Sequence, residues 1–242
     1  MAPNRESRFG LPNLEQEKNV YEITPEFLLQ AFSSEEFHDP LRVSLQRYLK
    51  KRKGEEFGFE VMKTMNSDDL YIGKVVGGQD DFSTDLHKST DAIVKKLRGK
   101  GADPYTFATF HLHPHYEDDP VIIPSGINGD LGRSNGVRRS TEGLLEYMGL
   151  PSIDFIGAVR GDKSLKVLVF REPPSFDPGK YREAFDEMDE AMNYAQSQED
   201  VVHLLKQLKY EADLLNANSD GKFDKQELQK LEKFAYTAKK TS

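Results

Sequence analysis

The chain has 242 residues, a formal net charge of −8 and no cysteine. The missing thiols exclude disulfide frameworks, thiolate zinc sites and cysteine nucleophiles, so any transition-metal site must draw on His, Asp, Glu and water. The acidic balance argues against nucleic acid as a partner, and no segment supplies the roughly 20 apolar residues of a membrane span.

Residues 1–20 are polar, carry two prolines and a glycine, and read as a flexible N-terminal arm. They lack the apolar stretch of a secretory signal, so the cytoplasm is the expected compartment. From Pro25 to Lys53 the pattern turns helical. Phe27, Leu28, Leu29 and Phe32 mark a short element, and Leu41, Leu45, Tyr48 and Leu49 a second, amphipathic one. The run Lys50-Lys51-Arg52-Lys53 reads as its solvated C-terminal end, where cations favour the helix dipole. Phe57, Phe59, Val61 and, after one gap, Met65 alternate as a strand does. Leu70–Val76 is the expected hairpin partner, across a turn at 66–69. Gly77-Gly78 breaks the pattern, and a helix is expected over Ser89–Arg98, burying Ile93, Val94 and Leu97 and stopping near Gly99 and Gly101.

Residues 107–114 read Phe-Ala-Thr-Phe-His-Leu-His-Pro. A buried strand is expected to run into the pair His111 and His113, and Pro114 to end it by removing a ladder donor. Side chains two apart on an extended segment point the same way, with Cα atoms roughly 7 Å apart. Two imidazoles so placed can grip one metal ion from a rigid base.

Residues 115–140 are rich in Gly, Asn, Asp, Pro and Ser and read as a long loop, a length that is often functional inside a domain. A short helix is expected over Thr141–Met148. Ile153–Val159 and Leu165–Phe170 read as two apolar strands joined by a tight Gly161-Asp162 turn. Pro173-Pro174 marks a boundary, and every periodic stretch beyond it reads as helical. The expected fold is therefore α/β over residues 21–172, followed by an all-α C-terminal extension over 173–242.

A zinc hydrolase needs three protein ligands, one coordination position left for water, a general base and a donor for the oxyanion. The segment Pro124-Ser125-Gly126-Ile127-Asn128-Gly129-Asp130 offers a hydroxyl and a carboxylate soon after the histidines. Upstream, Lys53-Gly54-Glu55-Glu56-Phe57-Gly58-Phe59 sets carboxylates at the mouth of the first strand. Each member has a plain alternative: a hydrogen-bonded histidine pair, a solvated strand entrance at Glu55, turn chemistry at Ser125, a loop cap at Asp130. The information lies in the ordered set.

That set, Glu-x-x-Gly at a first strand, His-x-His-Pro, then Pro-Ser and an Asp, resembles the JAMM motif of MPN-domain zinc metalloproteases over roughly residues 40–172. The resemblance implies an MPN-like, cytidine-deaminase-like mixed sheet flanked by helices. It implies zinc bound by His111, His113 and Asp130, with Glu55 as the base that activates water and Ser125 as the oxyanion donor. The reaction it implies is hydrolysis of an amide or isopeptide bond in a protein or peptide substrate, conjugates of ubiquitin-like modifiers among them. Two departures stand out. Asn128 occupies the place three residues after the serine where the family carries its aspartate, and the segment between His113 and Ser125 is several residues longer than usual. His115 and Asp118 are therefore alternative ligands, and Glu56 and Glu60 alternative bases. A degenerate site would leave a non-catalytic MPN-like scaffold that binds partner proteins. Nothing in the sequence fixes the oligomeric state.

Near the C-terminus, residues 216–227 read Asn-Ala-Asn-Ser-Asp-Gly-Lys-Phe-Asp-Lys-Gln-Glu. This resembles an EF-hand loop, with Asn216, Asn218, Asp220, the Lys222 carbonyl, Asp224 and Glu227 as calcium ligands and Gly221 at the sharp turn. Apolar periodicity on both sides predicts a helix-loop-helix. Asn216 stands in place of the usual aspartate, which lowers the ligand charge, and no second such loop is present to pair with it.

Overall fold

The computed structural model describes residues 20–51, 55–64, 67–78, 86, 89–102, 104–114, 118–124, 135–139, 145–171 and 190–239. The main sheet is built from β2 (Glu56–Thr64), β3 (Ser67–Ile72), β4 (Val76–Gly78), β5 (Pro104–Leu112), β8 (Ile153–Val159), β9 (Leu165–Arg171) and β10 (Glu211–Ala217). Its order is β10-β9-β8-β5-β2-β3, with β4 also paired to β2. β5 and β8 run parallel and the other pairs antiparallel, so the sheet is mixed. Two smaller ribbons pair β1 (Val20–Ile23) with β11 (Tyr236–Lys239), and β6 (Asn135–Arg139) with β7 (Leu145–Pro151). No helix among the described residues is long and apolar enough to cross a membrane.

Two helices cover one face. Helix α1 (Pro25–Ser33) starts where its sequence directs: the Thr24 hydroxyl accepts the Phe27 N–H at 3.1 Å and Pro25 takes the first helical position. Helix α2 (Glu35–Lys51) follows after Ser34, whose hydroxyl accepts the Phe37 N–H at 3.2 Å. Phe27, Phe32, Phe37 and Leu41 from these helices are buried with Phe57, Phe59, Phe110 and Phe155 from the strands. The rings meet mostly edge to face, and Phe59 and Phe110 stack at 5.3 Å across β2 and β5.

The opposite face carries a second cluster. Ile156, Ala158, Leu168 and Phe170 from β8 and β9 are buried with Ile122, Met192 and, from helix α4 (Gln198–Gln207), Val201 and Leu205. Apolar cover on both sides accounts for strands β8 and β9 being buried at every position. A shorter helix, α3 (Asp91–Arg98), precedes β5, and its N-cap Thr90 donates its hydroxyl to buried Glu60 at 2.6 Å.

Two segments fold differently from what their sequence predicts. Of the expected helix Thr141–Met148, residues 141–144 lie outside the described residues, and 145–148 belong to strand β7, which pairs with β6 from what read as one long loop. A short apolar run cannot fix its own period, and the flanking Gly143 and Gly149 disfavour a helix. The extension over 173–242 is not all-α. β10 pairs with β9 over seven residues and closes the edge of the main sheet, and β11 pairs with β1. Helix α4 ends at Gln207; Lys209, two residues on, takes φ 66°, and the chain continues extended into β10. Leu204, Leu205, Leu208, Leu214 and Leu215 suit a helix equally well. The open edge of β9, with its row of backbone donors and acceptors, decides for strand. The EF-hand-like segment is consequently entered by a strand and left by helix α5 (Lys225–Gln229), not framed by two helices.

Candidate metal centre

The alternation of β5 places the histidines. Phe110 and Leu112 point into the aromatic face, so His111 projects to the other one. The His113 N–H donates to the Gly157 carbonyl at 2.9 Å, extending the β5–β8 pairing one residue past the end of the strand. His113 thus stays extended and shares the direction of His111. The two Nε2 atoms stand 3.1 Å apart, with ring centroids separated by 4.9 Å at 51°. Two nitrogens bound to one tetrahedral zinc at about 2.0–2.1 Å each lie about 3.3 Å apart. The observed spacing suits that edge as well as an N–H···N hydrogen bond.

β2 supplies the carboxylate. Phe57 and Phe59 are buried in the aromatic cluster, so Glu56, Gly58 and Glu60 face the histidines' side. Ligand atoms of Glu56, His111 and His113 all lie within 4.8 Å of one another. His111 is buried, while Glu56 and His113 are half-buried, which leaves the group a way to solvent. Gly58 sits directly across from His111 in the β2–β5 register. Any Cβ there would collide with the Phe110 carbonyl oxygen and stand 2.7 Å from the His111 Cβ. The missing side chain at 58 is what lets β2 and β5 approach beside the imidazole.

Glu55 precedes β2 and is outside the group. The carboxylate beside the histidines is Glu56, and strand parity was the signal that distinguishes them, because Phe57 and Phe59 fix which neighbours face inward. Glu60 is committed to Thr90 at the start of α3. Asp118 is exposed, and its carbonyl accepts the Gly161 N–H at 2.9 Å. His115, Ser125, Asn128 and Asp130 lie outside the described residues. On the same face, Thr109 donates its hydroxyl to buried Asp154 across β5 and β8, a pairing the sequence reading did not anticipate.

The 216–227 segment is held by protein groups. The Asn216 N–H donates to Glu227 Oε2 at 3.1 Å and its Nδ2 to Glu227 Oε1 at 3.2 Å. Lys230 Nζ reaches Glu227 Oε2 at 2.7 Å, and Arg160 donates to Asn216 Oδ1 at 2.8 Å. Asn218 Oδ1 accepts from the N–H groups of Asp220 and Lys222, Gly221 takes φ 79°, and Asp224 caps α5. The turn rests on α2: Gly221 lies against Leu41 and Leu45, and Lys222 pairs with Glu35 at 2.9 Å. The Gly221 carbonyl accepts a hydrogen bond from the buried His38 imidazole, whose pKa burial pushes below the ordinary histidine value against that bond and nearby Glu35.

No family model, curated protein or solved structure matches this chain.

Proposed function

We propose that the protein is a zinc-dependent hydrolase of amide or isopeptide bonds, of the JAMM kind that its sequence resembles. The observation that carries this reading is the convergence of Glu56, His111 and His113 at the end of two paired central strands, with ligand atoms within 4.8 Å. The donor set is nitrogen and oxygen, which suits zinc in a chain without thiols. In this reading His111 and His113 hold the ion, and the third protein ligand comes from another carboxylate, with Asp130 the sequence's candidate. Zinc bound there supplies Lewis acidity, polarising a substrate carbonyl and bringing the pKa of a water toward about 7.

Glu56 is the general base. Its carboxylate takes the proton of the attacking water and passes it to the leaving amine, a role that needs an acid one water away from the reacting carbon. The half-buried rim is compatible with an extended polypeptide as substrate, and Ser125 is the proposed oxyanion donor. Metal analysis of the purified chain is the first test, with near-stoichiometric zinc expected. Glu56→Gln should keep that zinc and abolish cleavage of peptide and isopeptide-linked probes. Loss of zinc in this variant would make Glu56 a ligand instead of the base. His113→Ala should strip the metal, and full zinc content in it would remove His113 from the ligand set. A chain that binds no zinc would be the scaffold alternative, an MPN-like protein acting through its partners.

A second reading, calcium at residues 216–227, is favoured by one observation: the first and twelfth positions, Asn216 and Glu227, are side by side with Gly221 in the left-handed turn. An ion there must displace Arg160 from Asn216 and Lys230 from Glu227. Calorimetry measures this directly, and absence of heat at millimolar calcium dismisses it.

A further inference from the structure

We infer that Thr109 and Asp154 are positioning residues for the metal centre: the bond between their side chains anchors the strand that carries His111 to its parallel neighbour. The inference rests on the metal reading above. Alternation along β5 puts Thr109 on the same face as His111, one repeat farther from the end of the strand. Across the β5–β8 seam, Thr109 is the register partner of Asp154, and His111 that of Ile156. Strands about 4.8 Å apart, with a rise of about 3.3 Å per residue, set the Cα of Asp154 about 8 Å from that of His111. The Thr109 hydroxyl donates to Asp154 Oδ1, and Asp154 is 3% exposed. On its other side Thr109 faces Glu60, which accepts the Thr90 hydroxyl at 2.6 Å.

The bond lies on the seam that has most need of it. β5 and β8 form the one parallel pair among the described strands, and parallel pairing is slightly weaker per residue. His111 is bracketed on that seam. The Thr109 side chain crosses it two residues before the imidazole, and the His113 N–H crosses it two residues after, donating to the Gly157 carbonyl at 2.9 Å. Beyond Thr109 the surroundings of Asp154 turn apolar: Ile156 follows on the same face of β8, and Phe170 is the register partner on β9, both fully buried. A carboxylate buried there costs stability relative to an apolar side chain unless it is hydrogen-bonded, so packing alone would be better served by valine. What Asp154 adds is a directional tie to the histidine strand. A metal site needs its ligands held within about 0.5 Å, and a seam that slackens beside His111 gives up that precision.

The test uses the cobalt-substituted full chain, with affinity read by chelator competition and ligand geometry by the visible cobalt bands. Thr109→Val keeps the shape without the bond, and should lose about tenfold in cobalt affinity with displaced bands. Asp154→Ala should do the same, and carries the comparison if the valine variant does not fold. Thr109→Ser restores the hydroxyl and should match wild type. Because the two residues act through one bond, the double variant should lose no more than either single one. Wild-type affinity and bands in either folded variant, even with a lower Tm, would overturn the role. So would a serine variant as impaired as the valine one, or losses that multiply to about a hundredfold in the double variant. A wild-type chain that takes up neither zinc nor cobalt would instead overturn the metal reading, before any variant is made.

Discussion

Replacing Gly58 with alanine is the sharpest probe of the β2–β5 register at the proposed metal centre. The new methyl group would collide with the Phe110 carbonyl oxygen and lie 2.7 Å from the His111 Cβ and 3.0 Å from its Cα. Two of those three atoms are backbone, so no side-chain rotation relieves the contact. Ordinary contact begins near 3.4 Å, and the two central strands must separate by most of an ångström. Crowding of that kind in a close-packed interior costs about 1–3 kcal/mol, and backbone resistance argues for the upper end. Alanine regains roughly 0.5–1 kcal/mol of chain entropy, which leaves a net loss of about 2 kcal/mol. For a chain of this size that is roughly 4–8 °C in Tm. The same clash pushes on the Phe110–His111 backbone that carries the imidazole, and zinc affinity should fall by about 10–100-fold, the order seen when the support of a ligand is disturbed. Thermal unfolding with and without zinc, together with chelator competition, measures both losses. A variant with wild-type Tm and wild-type zinc affinity would refute the register on which the centre depends.

Phe110→Ala removes a fully buried ring that stacks on Phe59 and meets Phe37 edge-on, and should cost about 3–5 kcal/mol by chemical denaturation. A loss under about 1 kcal/mol would mean the aromatic face is not the core. His38 gives a pH prediction. Because burial lowers its folded-state pKa, the unfolded chain binds the extra proton first. Its contribution to stability is therefore whole above about pH 6.5 and is lost as pH falls below that toward the lowered folded value. His38→Gln should flatten that part of the stability curve, and an equally steep acid loss in the variant would assign it to other groups.

Legibility of the sequence varied with how many constraints met at a position. The strand running into His111 and His113 was readable because apolar continuity, a terminal proline and a two-residue repeat agreed. The choice of Glu56 over Glu55 needed the phase of β2, which Phe57 and Phe59 settle only once one knows which face the helices cover. β10 was illegible for a different reason. Its residues suit two periods, and the deciding fact is the unsatisfied edge of β9, some forty residues earlier in the chain. β7 was hidden likewise, since its partner β6 lies in a segment whose composition reads as loop. The pair of hydrogen bonds between Gln198 and Ile122 spans 76 positions and has no local signature at all.

The proposed metal centre and the aromatic core are two faces of one decision. On β2 the odd positions 57 and 59 go to the helices, and on β5 the even positions 110 and 112 do. The register that stacks Phe59 on Phe110 therefore sets Gly58 against His111. A slip by one residue would bury Glu56 and the imidazole among phenylalanines, where unpaired polar groups cost several kcal/mol each. The aromatic face thus holds the polar one in register without touching a ligand. Stability and metal affinity should accordingly fall together for substitutions at Phe59 or Phe110, whereas Glu56→Gln, at the centre but outside the core, should spare both and cost cleavage alone.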